Sequence, residues 1–311
     1  MGKAIREIYG EALAKYGKDD ERIVVLDADL SGSTKSGIFG KACPERFLNV
    51  GIAESNMVGM AAGLASVGKI PFVNTFTVFL TTLGLCAARA FGSYSQLPIK
   101  FAGAYGGMSD AFDGPSHHAL EDIAVMRSLA NVQVFVPCDA VQTEWLVKYA
   151  IDTPKPIYLR LSRDKFKDLY TSETEFAPGK GIVVREGTDI TVIACGLMVG
   201  NAIDAAEELA KEGISVRVVD MFSIKPIDEA LIVRCAEETG AIVSAEEHNI
   251  YGGLGSAVAE GLTKHGCGVT QGFVGVNDCH GECGPYKKLL AKYGLDANAI
   301  ANKVRETLAK K

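Results

Sequence analysis

The first half of the chain is punctuated by short, almost wholly apolar runs: RIVVLDAD, PFVNTF, LPIKFAGA, VQVFVP and PIYLRLS. None alternates polar with apolar residues, so each reads as a strand covered on both faces. Between them lie segments with helical periodicity, Ala53–Val67, Phe79–Ser93, Leu120–Leu129 and Val141–Ile151. Strands alternating with helices restrict the chain to an α/β fold built on a doubly wound parallel sheet. The stretch DKFKDLYTSETEFAPGKG then breaks the pattern, being charged, turn-rich and without apolar period. A second, smaller α/β set follows, with strands DITVIAC, ISVRVVD, GAIVSAEE and GFVGV. Its helices are Met198–Lys211, Asp228–Glu238 and Leu254–Lys264, and an amphipathic segment closes the chain at Ala299–Lys310. The expected organisation is a first domain over 1–165, a linker over 166–185 and a second domain over 186–311.

The 311 residues carry a net charge of -6, which offers no basic field to nucleic acid or an anionic membrane. No run approaches the roughly 20 apolar residues of a membrane span. The opening MGKAIREIYGEALAKYG reads as a charged amphipathic helix and not as a signal peptide. Arg6 stands where an N-myristoylation motif wants Ser or Thr. Eight cysteines are scattered, several inside apolar patterns, which fits a reduced, cytoplasmic setting. CHGEC, from Cys279 to Cys283, lacks the C-x2-C spacing of a zinc site, and no metal ligands are assigned.

Several stretches could carry chemistry. From Asn49 to Gly68 the only charged residue is Glu54, placed where a helix opens just after a strand. An exposed carboxylate there would simply gain about 0.3–1 kcal/mol from the helix dipole. A buried one must be paired, protonated or bonded to a ligand, because desolvating an ion costs several kcal/mol. Phe76 and Phe79 lie where another strand gives way to a helix, either as core aromatics or as a platform for a ligand ring. AGAYGGMSDAFDGPSHHALEDIAVMRSL leaves a strand as a loop carrying Asp113, His117 and His118. Such groups can hold a polar substrate or move protons near neutral pH, although Ser116 could equally cap a helix beside an exposed His117. DADLSGSTKS places Asp29, Ser31 and Ser33 at a strand end, and YLRLSRD ends a strand with Arg160 and Arg163, a residue type suited to phosphate or carboxylate. GGLG at Gly252–Gly255 follows a strand and opens a helix but lacks the third glycine of a nucleotide loop, so packing or a subunit contact explains it better.

In this order the stretches resemble the carboxyl-terminal half of the transketolases, the thiamine-diphosphate enzymes. The resemblance spans essentially the whole chain and rests most on DGPSHHALEDIAVMRSL, FSIKPID and EEHNIYGGLGSAVAE. It is closest to the second subunit of a split transketolase. The resemblance implies a pyrimidine-binding domain followed by the small terminal domain, and a two-carbon ketol transfer from a ketose to an aldose, the chemistry of pentose phosphate metabolism. It implies that Glu54 bonds N1' of the cofactor's aminopyrimidine and favours the imino tautomer that deprotonates thiazolium C2. Phe76 and Phe79 match the pyrimidine pocket, and Asp29 an aspartate near the cofactor. Ser33 matches a serine contacting the sugar phosphate, Asp113 and His117 the pair holding donor hydroxyls, and Arg163 the phosphate-binding arginine. Thr82 and Tyr105 depart from the family's Tyr and His, which leaves sugar and phosphate preference open. No GDG stretch occurs, so Mg2+ and the diphosphate are expected on an N-terminal partner subunit, in an α2β2 assembly with the chain inactive alone. The rival readings are the β subunit of a 2-oxo-acid dehydrogenase E1 component, a deoxyxylulose-phosphate synthase-like subunit, and a non-catalytic binding subunit.

Overall fold

The structure is a computed structural model that describes residues 3–311. Among the described residues twelve strands form two sheets. The first contains β1 (Ile23–Asp27), β2 (Phe47–Asn49), β3 (Ile70–Phe76), β4 (Lys100–Ala104), β5 (Gln133–Phe135) and β6 (Ile157–Arg160). The second contains β7 (Ile182–Arg185), β8 (Ile190–Ala194) and β9 (Val216–Asp220). After β9, the strand β10 (Ser223–Lys225) returns to the first sheet, and β11 (Ala241–Asn249) and β12 (Thr270–Val276) complete the second.

The first sheet runs in the order β10-β5-β6-β4-β3-β1-β2, and all its pairings are parallel except that of β10 with β5. The residues of β1, β3, β4 and β6 are buried throughout, as their unbroken apolar runs require. From β1 the chain steps outward to β2 and then back across to β3 and β4. The β1 region is therefore a topological switch point, whose carboxyl edge is open to ligands. The second sheet runs β12-β11-β8-β9-β7, with only the β7–β9 pair antiparallel.

Three strands were given no bounds by the sequence reading: β2, implied only as a strand ahead of the Glu54 helix, and β7 and β10, short segments with little apolar pattern. β7 occupies Ile182–Arg185, inside the stretch expected as linker, and its pairing with β9 puts those residues in the second sheet. β10 ties the two sheets together. Phe222, just ahead of it, stacks near Phe135 and meets Trp145 and Phe176 edge-on. Lys225 Nζ donates to the carbonyls of Arg127 and Leu129.

The helix Glu54–Ser66 buries Met57, Val58, Ala61, Ala62 and Ala65 against the first sheet. Its other side is open: Met60 and Val67 are exposed, and a Cβ added at Gly59 or Gly63 would meet nothing within 4 Å among the described residues. The Phe79–Ser93 pattern is not one helix but three short pieces, Thr77–Thr82, Leu85–Ala87 and a π-turn segment Ala88–Tyr94. This segment exposes Leu83, Phe91 and Tyr94. Among the described residues no helix is long and apolar enough to cross a membrane.

Candidate active site

The carboxyl ends of the parallel strands in the first sheet gather the candidate residues. Asp29 follows β1, Glu54 opens the helix after β2, Phe76 ends β3, Tyr105 follows β4 and Arg163 follows β6. Five loops separated in sequence converge because parallel strands all point the same way.

The turn after β1 is held by Asp27, which is fully buried. Its carboxylate accepts from the Leu30 backbone and from the hydroxyls of Thr34 and Ser36, while burial holds its pKa above the usual range. This shapes residues 28–36 and places Ser33. Asp29 adopts φ +65°, is exposed and accepts a bond from Asn49.

Glu54 is 3 % exposed. Thr75 Oγ1 donates to its Oε1 at 3.2 Å, and among the described residues no other group hydrogen-bonds that carboxyl. One residue on, the Phe76 and Phe79 rings stack at 5.9 Å with 27° between planes. His117 meets both rings edge-on, at 5.9 and 5.3 Å, and its Nδ1 pairs with the Ser116 hydroxyl. Tyr105 also stacks on Phe76, 4.4 Å between ring centres. Its φ of +63° is uncommon for a bulky residue and stores strain that the surrounding contacts must offset. Those contacts are cationic. Arg6 Nη1 donates to the Tyr105 hydroxyl at 2.6 Å and to the Ser33 carbonyl at 2.7 Å. The guanidinium carbons of Arg6 and Arg163 lie 5.0 and 5.3 Å from the Tyr105 ring centre.

Arg163 Nη1 in turn donates to Asp110 Oδ1 at 3.0 Å. Burial first, and then the neighbouring Asp113 charge, push the Asp110 carboxyl up to about 6. His118 is buried with neither ring nitrogen bonded among the described residues, and burial lowers its pKa. The loop is backed by the second domain. Glu247 Oε1 accepts from the Met108 backbone at 2.7 Å, and a Cβ on Gly107 would sit 2.3 Å from the Glu247 carboxyl carbon. Burial raises the Glu247 carboxyl to about 7. Gly281 lies against His118, and the Gly284 N–H donates to Ala111.

Phe76, Phe79, His117, Tyr105, Arg163 and Ser33 thus form one connected cluster, with Asp113 beside Asp110 at its rim. Glu54, at the head of its helix, bonds Thr75, the residue before Phe76, and Asp29 bonds Asn49. Arg160, offered by the sequence as an anion binder, has another task. It is 6 % exposed and makes a bidentate pair with Asp122 at 2.7 and 3.0 Å, with further bonds to the carbonyls of Ala119 and Glu247. The GGLG turn likewise serves packing: Glu246 accepts from the Leu254 and Gly255 backbones and fills the helix start with a protein carboxylate. His248 is fully buried, and its Nδ1 bonds the Asn249 carbonyl. The Thr82 hydroxyl is turned back onto Val78. Arg6 and Asp110 were not singled out in the sequence, although Asp110 lies in the loop carrying Asp113 and His117, because the ionic or hydrogen-bond partner of each is 99 or 53 residues away.

The family model for the transketolase pyrimidine-binding domain matches residues 1–168, and that for the transketolase C-terminal domain matches residues 179–300. The chain belongs to the transketolase family. It is 38% identical over 307 residues to the 6-deoxy-6-sulfo-D-fructose transketolase subunit of a Clostridium species, covering 99% of this chain and 95% of the relative. It is 38% identical to an apulose-4-phosphate transketolase subunit from Phocaeicola vulgatus, covering 99% and 98%. The chain spans about half the length of single-chain relatives such as human transketolase, 49% of it at 39% identity. A solved structure described as a split gene transketolase, an inactive β4 tetramer, superposes with a TM-score of 0.90 at 48% identity, covering 99% of both chains. This chain is accordingly a transketolase-family member, of transferase type, similar over its whole length to proteins named as transketolase subunits.

Proposed function

We propose that the chain is the C-terminal subunit of a transketolase that moves a two-carbon ketol unit from a ketose to an aldose with thiamine diphosphate. One observation carries this reading: Glu54 is a buried carboxylate whose bonding capacity is left largely unused by the chain itself. A buried carboxyl needs a partner, and one beside stacked aromatic rings suits a flat heterocycle bearing a basic nitrogen.

The residues present fit that group. Glu54 would bond the ring nitrogen of the aminopyrimidine, and the Phe76–Phe79 pair would pack its face, a stacked ring contributing about 0.5–1.5 kcal/mol beyond its area. Asp29, beyond the end of β1, would stand near the same group. When bound, the cofactor supplies an electron sink for carbon–carbon cleavage beside a carbonyl. Glu54 holds the proton at the pyrimidine nitrogen, where excluded water strengthens the interaction. His117 is held edge-on against both Phe rings, so its imidazole can bond a donor hydroxyl and carry its proton. Asp113 accepts from a second hydroxyl, and Ser33 and Arg163 bound the far end of the donor.

The diphosphate and its Mg2+ belong, on this reading, to an N-terminal partner subunit. The open face formed by Ile52, Met60, Leu83, Phe91 and Tyr94 is the surface we assign to subunit contact, in an α2β2 assembly within the cytoplasm. The two relatives are named for sugars with anionic ends, so the charge of the donor is the open point of specificity. The test is reconstitution with an N-terminal subunit, thiamine diphosphate and Mg2+. Ketol transfer should appear only in the complex. Turnover by this chain alone would remove the partner, and activity toward a lipoyl acceptor with none toward sugars would move the chain to the 2-oxo-acid dehydrogenases.

A further inference from the structure

The loop that carries Asp113 and His117 is closed at its base by Gly107 and Ala119, whose backbones exchange hydrogen bonds at 3.0 and 2.9 Å. Arg160 holds the Ala119 side of that base, donating to the Ala119 carbonyl at 3.2 Å, and the Asn249 N–H donates to Leu120 at 2.7 Å. From the second domain, the Met108 side is held by a single side chain. Glu247, in β11, is 4 % exposed, and its Oε1 accepts from the Met108 N–H at 2.7 Å. Gly107 adopts φ +71°, and a Cβ there would stand 2.3 Å from the Glu247 carboxyl carbon, so the carboxyl lies directly against the backbone of the loop.

Packing alone does not call for a carboxyl at this place. Desolvating one is costly, and Arg160, Asp122 and Tyr286 surround it from β6 and from the helices Asp122–Ser128 and Tyr286–Lys292. An apolar side chain would fill the space and leave the Met108 N–H unpaired. Burial raises the Glu247 carboxyl to about 7, and both its ionised and its neutral form present an oxygen to that N–H. The carboxyl therefore supplies a fixed position for the Met108 backbone. His117 stands edge-on to Phe76 and Phe79 at 5.9 and 5.3 Å, and a loop free to shift at Met108 would not keep it there.

We propose that Glu247 is a positioning residue for ketol transfer: from the second domain it fixes, through the Met108 backbone, the loop that presents Asp113 and His117 to the hydroxyls of the donor. The assignment rests on the ketol-transfer reading above and gives the second domain a part in donor binding.

The experiment measures steady-state kinetics of the reconstituted complex with two donors and glycolaldehyde as acceptor at one fixed concentration. One donor is the best used of D-xylulose, D-fructose and their phosphate esters, which carry hydroxyls beyond the ketol unit. The other is hydroxypyruvate, which offers the same unit with no hydroxyl beyond it. Glu247→Ala should raise the ketose KM about tenfold, the scale of one lost hydrogen bond to a charged group, with kcat within about threefold. The hydroxypyruvate KM should stay within about twofold, because a displaced Asp113–His117 loop costs only the ketose its contacts. Glu247→Gln keeps the length and the acceptor oxygen and should restore the ketose KM. If Glu247→Ala fails to assemble, Glu247→Asp keeps the charge, withdraws the oxygen by one methylene and should raise the ketose KM at least about threefold. Equal loss with both donors shows a merely structural residue and overturns the proposal. An unchanged ketose KM overturns it too, as does native turnover of hydroxypyruvate with no ketose. Absence of transfer from every donor by the native complex would instead overturn the ketol-transfer reading itself.

Discussion

Thr75 Oγ1 donates to Glu54 Oε1 across 3.2 Å, and that hydroxyl is the one group among the described residues bonded to a carboxyl only 3 % exposed. Glu54 opens its helix and so gains from the N-terminal dipole, but about 1 kcal/mol at most does not offset the several kcal/mol needed to desolvate an ion. Local stability does not account for its retention.

Glu54→Gln should therefore lower ketol transfer by the reconstituted complex at least 100-fold, the range lost with a general acid or base. Assembly, followed by size-exclusion chromatography, should persist, and the melting temperature should shift by no more than a few degrees. Retained activity would remove Glu54 from the chemistry.

Tyr105→Phe leaves the ring stacked on Phe76 and deletes the hydroxyl that receives Arg6 at 2.6 Å. Hydrogen bonds to charged groups are worth about 1.5–3 kcal/mol, and here Arg6 keeps its bond to Ser33. The expected outcome is a donor KM raised about tenfold with kcat within a factor of about three, read from steady-state kinetics.

Arg160→Met should be among the most damaging single changes away from the reacting groups. It leaves Asp122, which is fully buried and held below the usual carboxylate range by Arg160, with only the Tyr158 hydroxyl as hydrogen-bond partner among the described residues. Breaking such a buried pair costs about 3–5 kcal/mol. Urea unfolding would show it as a lower midpoint. Arg160 also spans to the Glu247 carbonyl, so the transition should lose cooperativity between the domains.

Asp220 gives a pH prediction. It is fully buried, and burial pushes its carboxyl up to about 6 despite bonds from Gln142, Tyr170 and Cys138. Between the unfolded value near 4 and the folded value, the native state binds more protons than the unfolded one, so this residue's contribution falls as pH rises through that window. Asp220→Asn should gain stability relative to the native chain on going from pH 4 to pH 7, by up to about 3 kcal/mol. Denaturant midpoints measured across that range check it, and parallel curves for the two proteins would contradict it.

By itself the sequence determined the α/β class and the existence of nine of the strands. A parallel strand covered by helices must be apolar along its whole length, and that demand is written locally. It also determined that Glu54, Phe76, Phe79, Asp113 and His117 lie at strand ends, because strand and helix periods meet there. What only the tertiary structure decided is which groups are neighbours and which charges are already spent. Arg160 and Arg163 lie three residues apart in one motif, yet Arg160 is consumed by Asp122 in the core while Arg163 stays half-exposed and bonds Asp110. The strand β10 joins the first sheet because Phe222 packs among aromatic rings from elsewhere in the chain, and three residues carry no pattern that announces this. Charge compensation and burial are properties of distance in space, and a linear pattern encodes only distance along the chain.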